Sequence, residues 1–215
     1  MTINWYGQSC FKISNQGGHL TLIIDPFDKS IGLIPPRGAA DIVLVSHDHR
    51  DHNNIKAIAG APFIVNGPGE YEVKGVSING IASYHDKKEG EERGSNTIYL
   101  IEMDKIKVCH LGDFGQEKLS DSQLEAIGDV DILMIPVGGE YTIGASEAAK
   151  IAKQIEPRLI IPMHYKVPHL SIDGLATPDD FLKEMGVEEK TVIEKLTLKE
   201  KDLSSKEMEV VLFKI

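Results

Sequence analysis

His47-Asp48-His49-Arg50-Asp51-His52 follows one residue, Ser46, after the apolar run Ile42-Val43-Leu44-Val45, so a strand is predicted to deliver four potential metal ligands into the turn at its end. His47 and His49 are two apart, which in extended backbone sends both imidazoles to one side. A turn after Arg50 returns Asp51 and His52 toward the same point, and one segment can then serve two ions. Mixed imidazole and carboxylate donors suit zinc, manganese or iron(II), whereas calcium takes oxygen throughout. The competing reading is a polar loop that opens a helix, with Asn53 or Asn54 capping Ile55-Lys56-Ala57-Ile58. A helix is expected there in either case, but capping it requires none of the three histidines.

Further candidate ligands fall at comparable places. His85 follows the predicted strand Val76–Ser83, Asp113 follows Ile106–Leu111, and His164 follows Arg158–Pro162. Loops just past strand ends can bring side chains from distant parts of a chain into one cleft. Singly, each would be an ordinary loop residue. Together with the 47–52 cluster they complete a set of His47, His49, Asp51, His52, His85, Asp113 and His164.

The 215 residues suffice for one sizeable core, and residues 1–215 read as a single domain. Lys and Arg number 23 against 33 Asp and Glu, a formal net charge of -10, which opposes nonspecific attraction to polynucleotides or anionic membranes. A small-molecule substrate is therefore expected, and nucleic acid is not. The start Met1–Tyr6 lacks a cationic and then apolar leader, and no apolar run approaches bilayer length. No membrane association and a cytoplasmic location are expected. Cys10 and Cys109 fit neither a disulfide framework nor a paired-cysteine site and read as reduced, buried strand residues.

Strands are predicted at Asn4–Gly7, Cys10–Ser14 and Leu20–Ile24, the last closed by Asp25-Pro26. Lys29–Ala40 has neither a helical nor a strand period and reads as a long loop with apolar tips, a form that lids take. Strands follow at Phe63–Val65, Glu70–Val73, Val76–Ser83, Thr97–Glu102 and Ile106–Leu111, and the charged stretch Asp86–Gly94 reads as solvated and mobile. In the second half, helices at Leu119–Ile127, Ala145–Ile155 and Pro178–Met185 are interspersed with strands at Asp131–Val137, Arg158–Pro162, Val192–Leu198 and Glu209–Ile215.

His47, His49, Asp51 and His52 satisfy the pattern His-x-His-x-Asp-His, and through it the chain resembles the metallo-beta-lactamase superfamily. Asp25 resembles that superfamily's first, structural aspartate, and His85, Asp113 and His164 resemble its third, fourth and fifth motifs. Pro136-Val137-Gly138-Gly139-Glu140-Tyr141-Thr142-Ile143 and Ile161-Pro162-Met163-His164-Tyr165 are similar to the small, single-domain hydrolases related to the ascorbate-6-phosphate lactonase. The resemblance implies an α/β (α+β) fold, a four-layer alpha-beta/beta-alpha sandwich of two mixed sheets with helices outside and metals at one edge. It implies two divalent ions, zinc first, with manganese or iron as alternatives. His47, His49 and His85 would hold one ion, Asp51, His52 and His164 the other, and Asp113 would bridge. Asp113 and Asp51 are the expected catalytic residues, and Asp25 is expected to accept a hydrogen bond from a ligand imidazole.

The expected function is a dinuclear metal-dependent hydrolase in which a metal-bridging hydroxide attacks a small anionic ester, lactone or phosphodiester. Two alternatives stay open: a metal-dependent nuclease or cyclic-nucleotide phosphodiesterase, and a metal-binding sensor or scaffold without hydrolytic function. A net-acidic sequence of 215 residues is not expected to accommodate a beta-CASP insertion, the helical domain of glyoxalase II, a flavodoxin module or the basic arm of the tRNA 3' processing nuclease. Tyr141, Thr142 and Arg37 are candidate substrate contacts. The amides at the start of the Ala145–Ile155 helix could receive an anionic group, although a capping loop with Ser146 accounts for Tyr141 and Thr142 equally well. Asp48 is expected to point outward, His110 to lie near the ligands or simply be buried, and His19 and His169 to be surface residues. The apolar loop and C-terminal strands leave room for a homo-oligomer.

Overall fold

The computed structural model describes residues 1–215. Six strands form the first sheet: β1 (Thr2–Gly7), β2 (Cys10–Ser14), β3 (Thr21–Ile24), β4 (Ile42–Leu44), β5 (Phe63–Val65) and β13 (Leu196–Thr197), in the order β13-β1-β2-β3-β4-β5. Eight form the second: β6 (Gly69–Val73), β7 (Val76–Tyr84), β8 (Ser95–Met103), β9 (Ile106–His110), β10 (Ile132–Pro136), β11 (Leu159–Met163), β12 (Thr191–Ile193) and β14 (Glu209–Phe213), in the order β12-β14-β11-β10-β9-β8-β7-β6. The result is an α/β sandwich of two mixed sheets.

Sequence pattern explains which strand goes where. β1 alternates half-buried and buried residues, with Ile3 and Trp5 inward, as a strand with one face on the core must. β10 and β11 are buried along their whole length and pair in parallel, so they read as continuous apolar runs. Phe11 of β2 meets His110 of β9 and Phe213 of β14 edge to face, at centroid distances of 5.8 and 6.4 Å. The two sheets thus interlock over one cluster of 60 buried apolar residues.

Three α-helices occur, all after β9: α1 (Asp121–Ile127), α2 (Ala145–Ile155) and α3 (Asp179–Glu184). Ser120 and Gln123 cap α1 reciprocally. α1 packs on β7, and α2 packs on β10 and on α3. In the first sheet the parallel connections β3–β4 and β4–β5 contain only single 3-10 turns, Lys29–Ile31 and Ile55–Ala57. The helix expected after the histidine cluster is therefore one turn long. Asn54 makes no cap bond there; its amide donates to the Phe27 carbonyl at 3.1 Å.

The predicted strand Val192–Leu198 is corrected more deeply. It breaks at Glu194-Lys195: β12 pairs in parallel with β14, while β13 pairs antiparallel with β1. An alternating pattern records which face is apolar but not which sheet is the neighbour. The stretch 86–94 is also not merely solvated charge. Asp86 is buried, and its carboxylate accepts the backbone N–H groups of Lys88, Gly90, Glu92 and Arg93 at 2.7–3.1 Å. No helix is long and apolar enough to cross a membrane.

Strand direction gathers the candidate ligands. β3, β4 and β5 run parallel, as do β9, β10 and β11, and β7 has the sense of β9 because both are antiparallel to β8. Residues just past the C-terminal ends of β3, β4, β7, β9 and β11 therefore emerge on one edge of the sandwich. The sheets touch at that edge, where Thr97 N–H donates to the Ser46 carbonyl and the Tyr99 hydroxyl to the Val45 carbonyl, both at 2.8 Å.

Candidate metal centre

Asp25 leaves β3 in a left-handed conformation, φ 47°. Its buried Oδ1 accepts the Ser46 N–H at 2.7 Å, and Oδ2 accepts both the Ser46 hydroxyl at 2.7 Å and His52 Nδ1 at 3.1 Å. Because the hydroxyl proton of Ser46 goes to Asp25, Ser46 Oγ is left to accept from His47 Nδ1, 2.9 Å away. One carboxylate therefore sets a proton on Nδ1 of both imidazoles and leaves Nε2 of each for the centre, the arrangement that metal-binding histidines use. Nε2 of His47 and of His52 are buried and make no hydrogen bond.

Asp113 sits between these histidines and the rest. Gly112, at φ 58°, makes the turn into it; a Cβ there would lie 2.3 Å from Asn96 Oδ1 and 2.7 Å from Ser46 Cβ, so no larger residue fits. Asn96 Oδ1 accepts the Asp113 N–H, and the Ser9 hydroxyl donates to Asp113 Oδ1, both at 3.0 Å. The other oxygen, Oδ2, lies 3.1 Å from His164 Nε2, 3.2 Å from His85 Nε2, 3.3 Å from His52 Nε2 and 3.9 Å from His47 Nε2. Donor atoms of His47, His49 and His85 lie within 4.8 Å of one another, as do those of Asp51, His52 and His164, and of His47, His52 and Asp113.

The charges explain why these groups tolerate each other. Burial opposes ionisation of Asp113, yet His164 and His52 hold its carboxyl well below the usual carboxylate range. Burial likewise works against a charged His52, but Asp113, joined by Asp25 and Asp51, raises it well above the usual histidine value. His47 goes the other way: burial, reinforced by His52, pushes it down to about 3. The carboxylates seek positive charge, which a proton on His52 supplies and a bound ion would replace, while His47 is already in the neutral form that binds metal. With Nε2 of His47 and His52 buried and unpartnered, and Nε2 of His85 and His164 facing the same carboxylate oxygen, the donor set fits divalent transition ions bound by imidazole and carboxylate.

Several contributors carry no motif in the sequence. Gln8 and Ser9 form the β1–β2 turn, which in the sequence is only a gap between two predicted strands. Gln8 Nε2 donates to Asp51 Oδ2 at 3.1 Å and lies 3.0 Å from His164 Nε2, and the Gln8 carbonyl accepts the His164 N–H at 3.1 Å. Ser46 is hidden at the strand end. His110 is buried, with Nε2 2.9 Å from the Ser9 carbonyl and Nδ1 accepting the Gly112 N–H at 3.1 Å. Asp48 is exposed and accepts from the Asn53 amide, and His19 and His169 are exposed.

A cleft of about 290 Å³ opens over the candidate ligands, walled also by Gln8, Ile31, Arg50, Arg93, Tyr141 and Ile172. Of the expected substrate contacts it includes Tyr141 alone. Arg37 is exposed: Ile31 and Leu33 anchor the first part of its loop in the core, and Arg37 falls where the chain heads for the Ala39–Ala59 bridge. Thr142 instead donates its hydroxyl to the Ile143 carbonyl at 3.3 Å. A larger groove of about 700 Å³, at the opposite ends of β10 and β11, mixes Lys105, Lys107 and Arg158 with Asp129, Asp131 and Glu156. It contains none of the candidate ligands.

A family model for a beta-lactamase superfamily domain matches residues 2–164. A UPF0173 metal-dependent hydrolase of Thermococcus onnurineus is 29% identical over 219 residues, covering 89% of this chain and 95% of its own. A UPF0173 protein of Pyrococcus furiosus is 32% identical, covering 86% of this chain and 90% of its own. Among solved structures, a Thermotoga maritima protein assigned to the Zn-dependent hydrolases of the metallo-beta-lactamase superfamily superposes with TM-score 0.81 at 38% identity, covering 99% of this chain and 97% of that one.

Proposed function

The chain belongs to the metallo-beta-lactamase superfamily, and from that premise we propose that it is a dinuclear metal-dependent hydrolase acting on a small anionic ester, lactone or phosphodiester. His47, His49 and His85 would hold one ion, Asp51, His52 and His164 the other, with Asp113 shared. One observation carries this: Asp113 Oδ2 lies within 3.1–3.9 Å of imidazole nitrogens delivered from the ends of β4, β7 and β11. When bound, such ions lower the pKa of coordinated water from about 16 toward about 7 and stabilise negative charge on the attacked group.

The chain's own residues organise the rest. Asp25 and Ser46 keep the Nδ1 protons of His52 and His47 turned away from the reacting side. Ser9 ties down Asp113 Oδ1, so that Oδ2 alone faces the centre and is placed to orient a nucleophilic water. Gln8 steadies Asp51. Ile31 and Ile172 make part of the wall apolar, and the volume of about 290 Å³ is at the small end of ligand sites, which supports a compact substrate. Zinc is the first choice of ion, from the imidazole-rich donor set.

Elemental analysis after reconstitution should give close to two divalent ions per chain. A panel of chromogenic esters, lactones and bis-phosphodiesters, assayed with zinc or manganese, should show turnover of at least one small class. A stoichiometry that never exceeds one ion would end the dinuclear reading. Degradation of polynucleotides would favour a nuclease, and ion binding without any turnover a sensor.

A further inference from the structure

Arg93 belongs by sequence to a charged, solvated loop, but its placement in the cleft is built. The Asp86 carboxylate gathers the 88–93 backbone and takes the Arg93 N–H at 2.7 Å, and the Gly94 carbonyl accepts the His85 N–H at 3.0 Å. The loop is thus closed onto the candidate ligand His85 and its neighbour Asp86. The half-buried side chain of Arg93 puts its guanidinium carbon 5.5 Å from the centroid of the Tyr141 ring, over its face. Both residues line the cleft together with His85, Asp113 and His164.

Six of the 23 basic side chains, such as Lys74, Lys87, Lys88 and Arg158, pair with carboxylates, so an unpaired cation is ordinary on the surface; Arg93 is set apart by lying half-buried in the cleft, over an aromatic ring. The Arg93 guanidinium makes no ion pair and no hydrogen bond to protein; Arg93 enters the hydrogen-bond network through its backbone N–H. Arg50, also on the cleft, is exposed and unpaired, but nothing fixes its position. An arginine held on an aromatic platform in a small cleft, with its planar donor fork unused, matches an oxyanion brought by a ligand.

We infer that Arg93, stacked on Tyr141, is the seat for the anionic group of the substrate and determines specificity for it. The substrate would carry a carboxylate or phosphate at the end remote from the bond that is cleaved, joined by a short apolar body lying against Ile31 and Ile172. Arg50 would serve only to attract anions to the mouth. The inference rests on the hydrolase reading for the identity of the scissile bond, but not for the binding of the anion.

The test uses the metal-loaded protein and two readouts. Calorimetric titration with succinate, glutarate and adipate, against butyrate as a monocarboxylate that can meet the ions but not reach Arg93, should show at least one dicarboxylate bound about tenfold or more tightly than butyrate. Arg93→Gln should erase that gap without changing butyrate binding or metal content. Tyr141→Leu should shrink the gap, and Arg50→Gln should leave it. Turnover of mono-4-nitrophenyl glutarate against 4-nitrophenyl butyrate should show the same selectivity as a change in KM, with kcat nearly constant. If Arg93→Gln fails to fold, Arg93→Lys keeps charge and size and should retain only part of the gap. A gap that survives in Arg93→Gln, that follows Arg50, or that is absent from the wild type would overturn the proposal. If neither ester is turned over while the Arg93-dependent gap persists, the ester form of the hydrolase reading falls and the anion seat stands.

Discussion

Replacing Asp25 by Asn is the sharpest test of how the centre is organised. The substitution keeps shape and volume, and Asn Oδ1 can still accept the Ser46 N–H, now 2.7 Å from Asp25 Oδ1. The amide nitrogen would stand in the place of Oδ2, facing two donors, the Ser46 hydroxyl at 2.7 Å and His52 Nδ1 at 3.1 Å. It would then donate to Ser46 Oγ, whose hydroxyl would turn to His47 Nδ1, and His52 Nδ1 would have to accept. Both imidazoles would carry their proton on Nε2, the atom needed for the ion. Two hydrogen bonds to a buried charge are lost, each worth about 1.5–3 kcal/mol, with part returned by the new pairing; a net loss of about 3 kcal/mol is expected. For a chain of this size that lowers Tm by about 6–12 °C, short of unfolding a domain stable by about 5–15 kcal/mol. Metal affinity should fall about 100-fold, the upper part of the range for partners of ligand histidines. Competition with a chromophoric chelator measures the affinity, calorimetry the Tm, and nitrogen chemical shifts of the imidazoles the tautomers. A folded Asp25→Asn protein that binds metal within about threefold of wild type would refute the tautomer argument.

Two further outcomes are expected. Asp113→Ala should abolish turnover and weaken both ions, whereas Asp48→Ala, at an exposed residue outside every ligand triad, should leave metal content intact; elemental analysis of the two variants side by side checks this. Asp86 accepts four backbone N–H groups, and these, working against its burial, lower its carboxyl to about 2. Its stabilising effect is therefore complete above the unfolded carboxylate value near 3.9 and disappears as pH falls through about 2. Asp86→Ala should lower Tm at neutral pH by about 4–8 °C, from roughly 2 kcal/mol of lost bonding, and the difference from wild type should shrink in melts recorded at acid pH.

Much of the architecture is readable in the sequence because it depends on short stretches of chain. Cys10–Ser14, Phe63–Val65 and Ala145–Ile155 occur as predicted, since apolar period and breaker residues act over a few positions. The helix after His52 shrinks to a turn because its residues make no cap and little core: none of Ile55–Ala57 is buried. Tyr141 reaches the cleft and Arg37 does not, although both lie in loops of equal local promise.

By itself the sequence determined that His47, His49, Asp51 and His52 leave a strand end together, and that His85, Asp113 and His164 each follow a strand. Those facts come from backbone sterics and pleat, which are local. Tertiary structure alone decided that Ser9 would steady Asp113 across 104 residues of chain and that Gln8 would meet His164 across 156. It also decided that Val192–Leu198 would divide between two sheets, and that Arg93 would find an aromatic platform instead of a carboxylate. These contacts depend on strand order and on the face each loop presents. The order is selected by burial of the whole core and leaves no periodic trace in the residues that the loops carry.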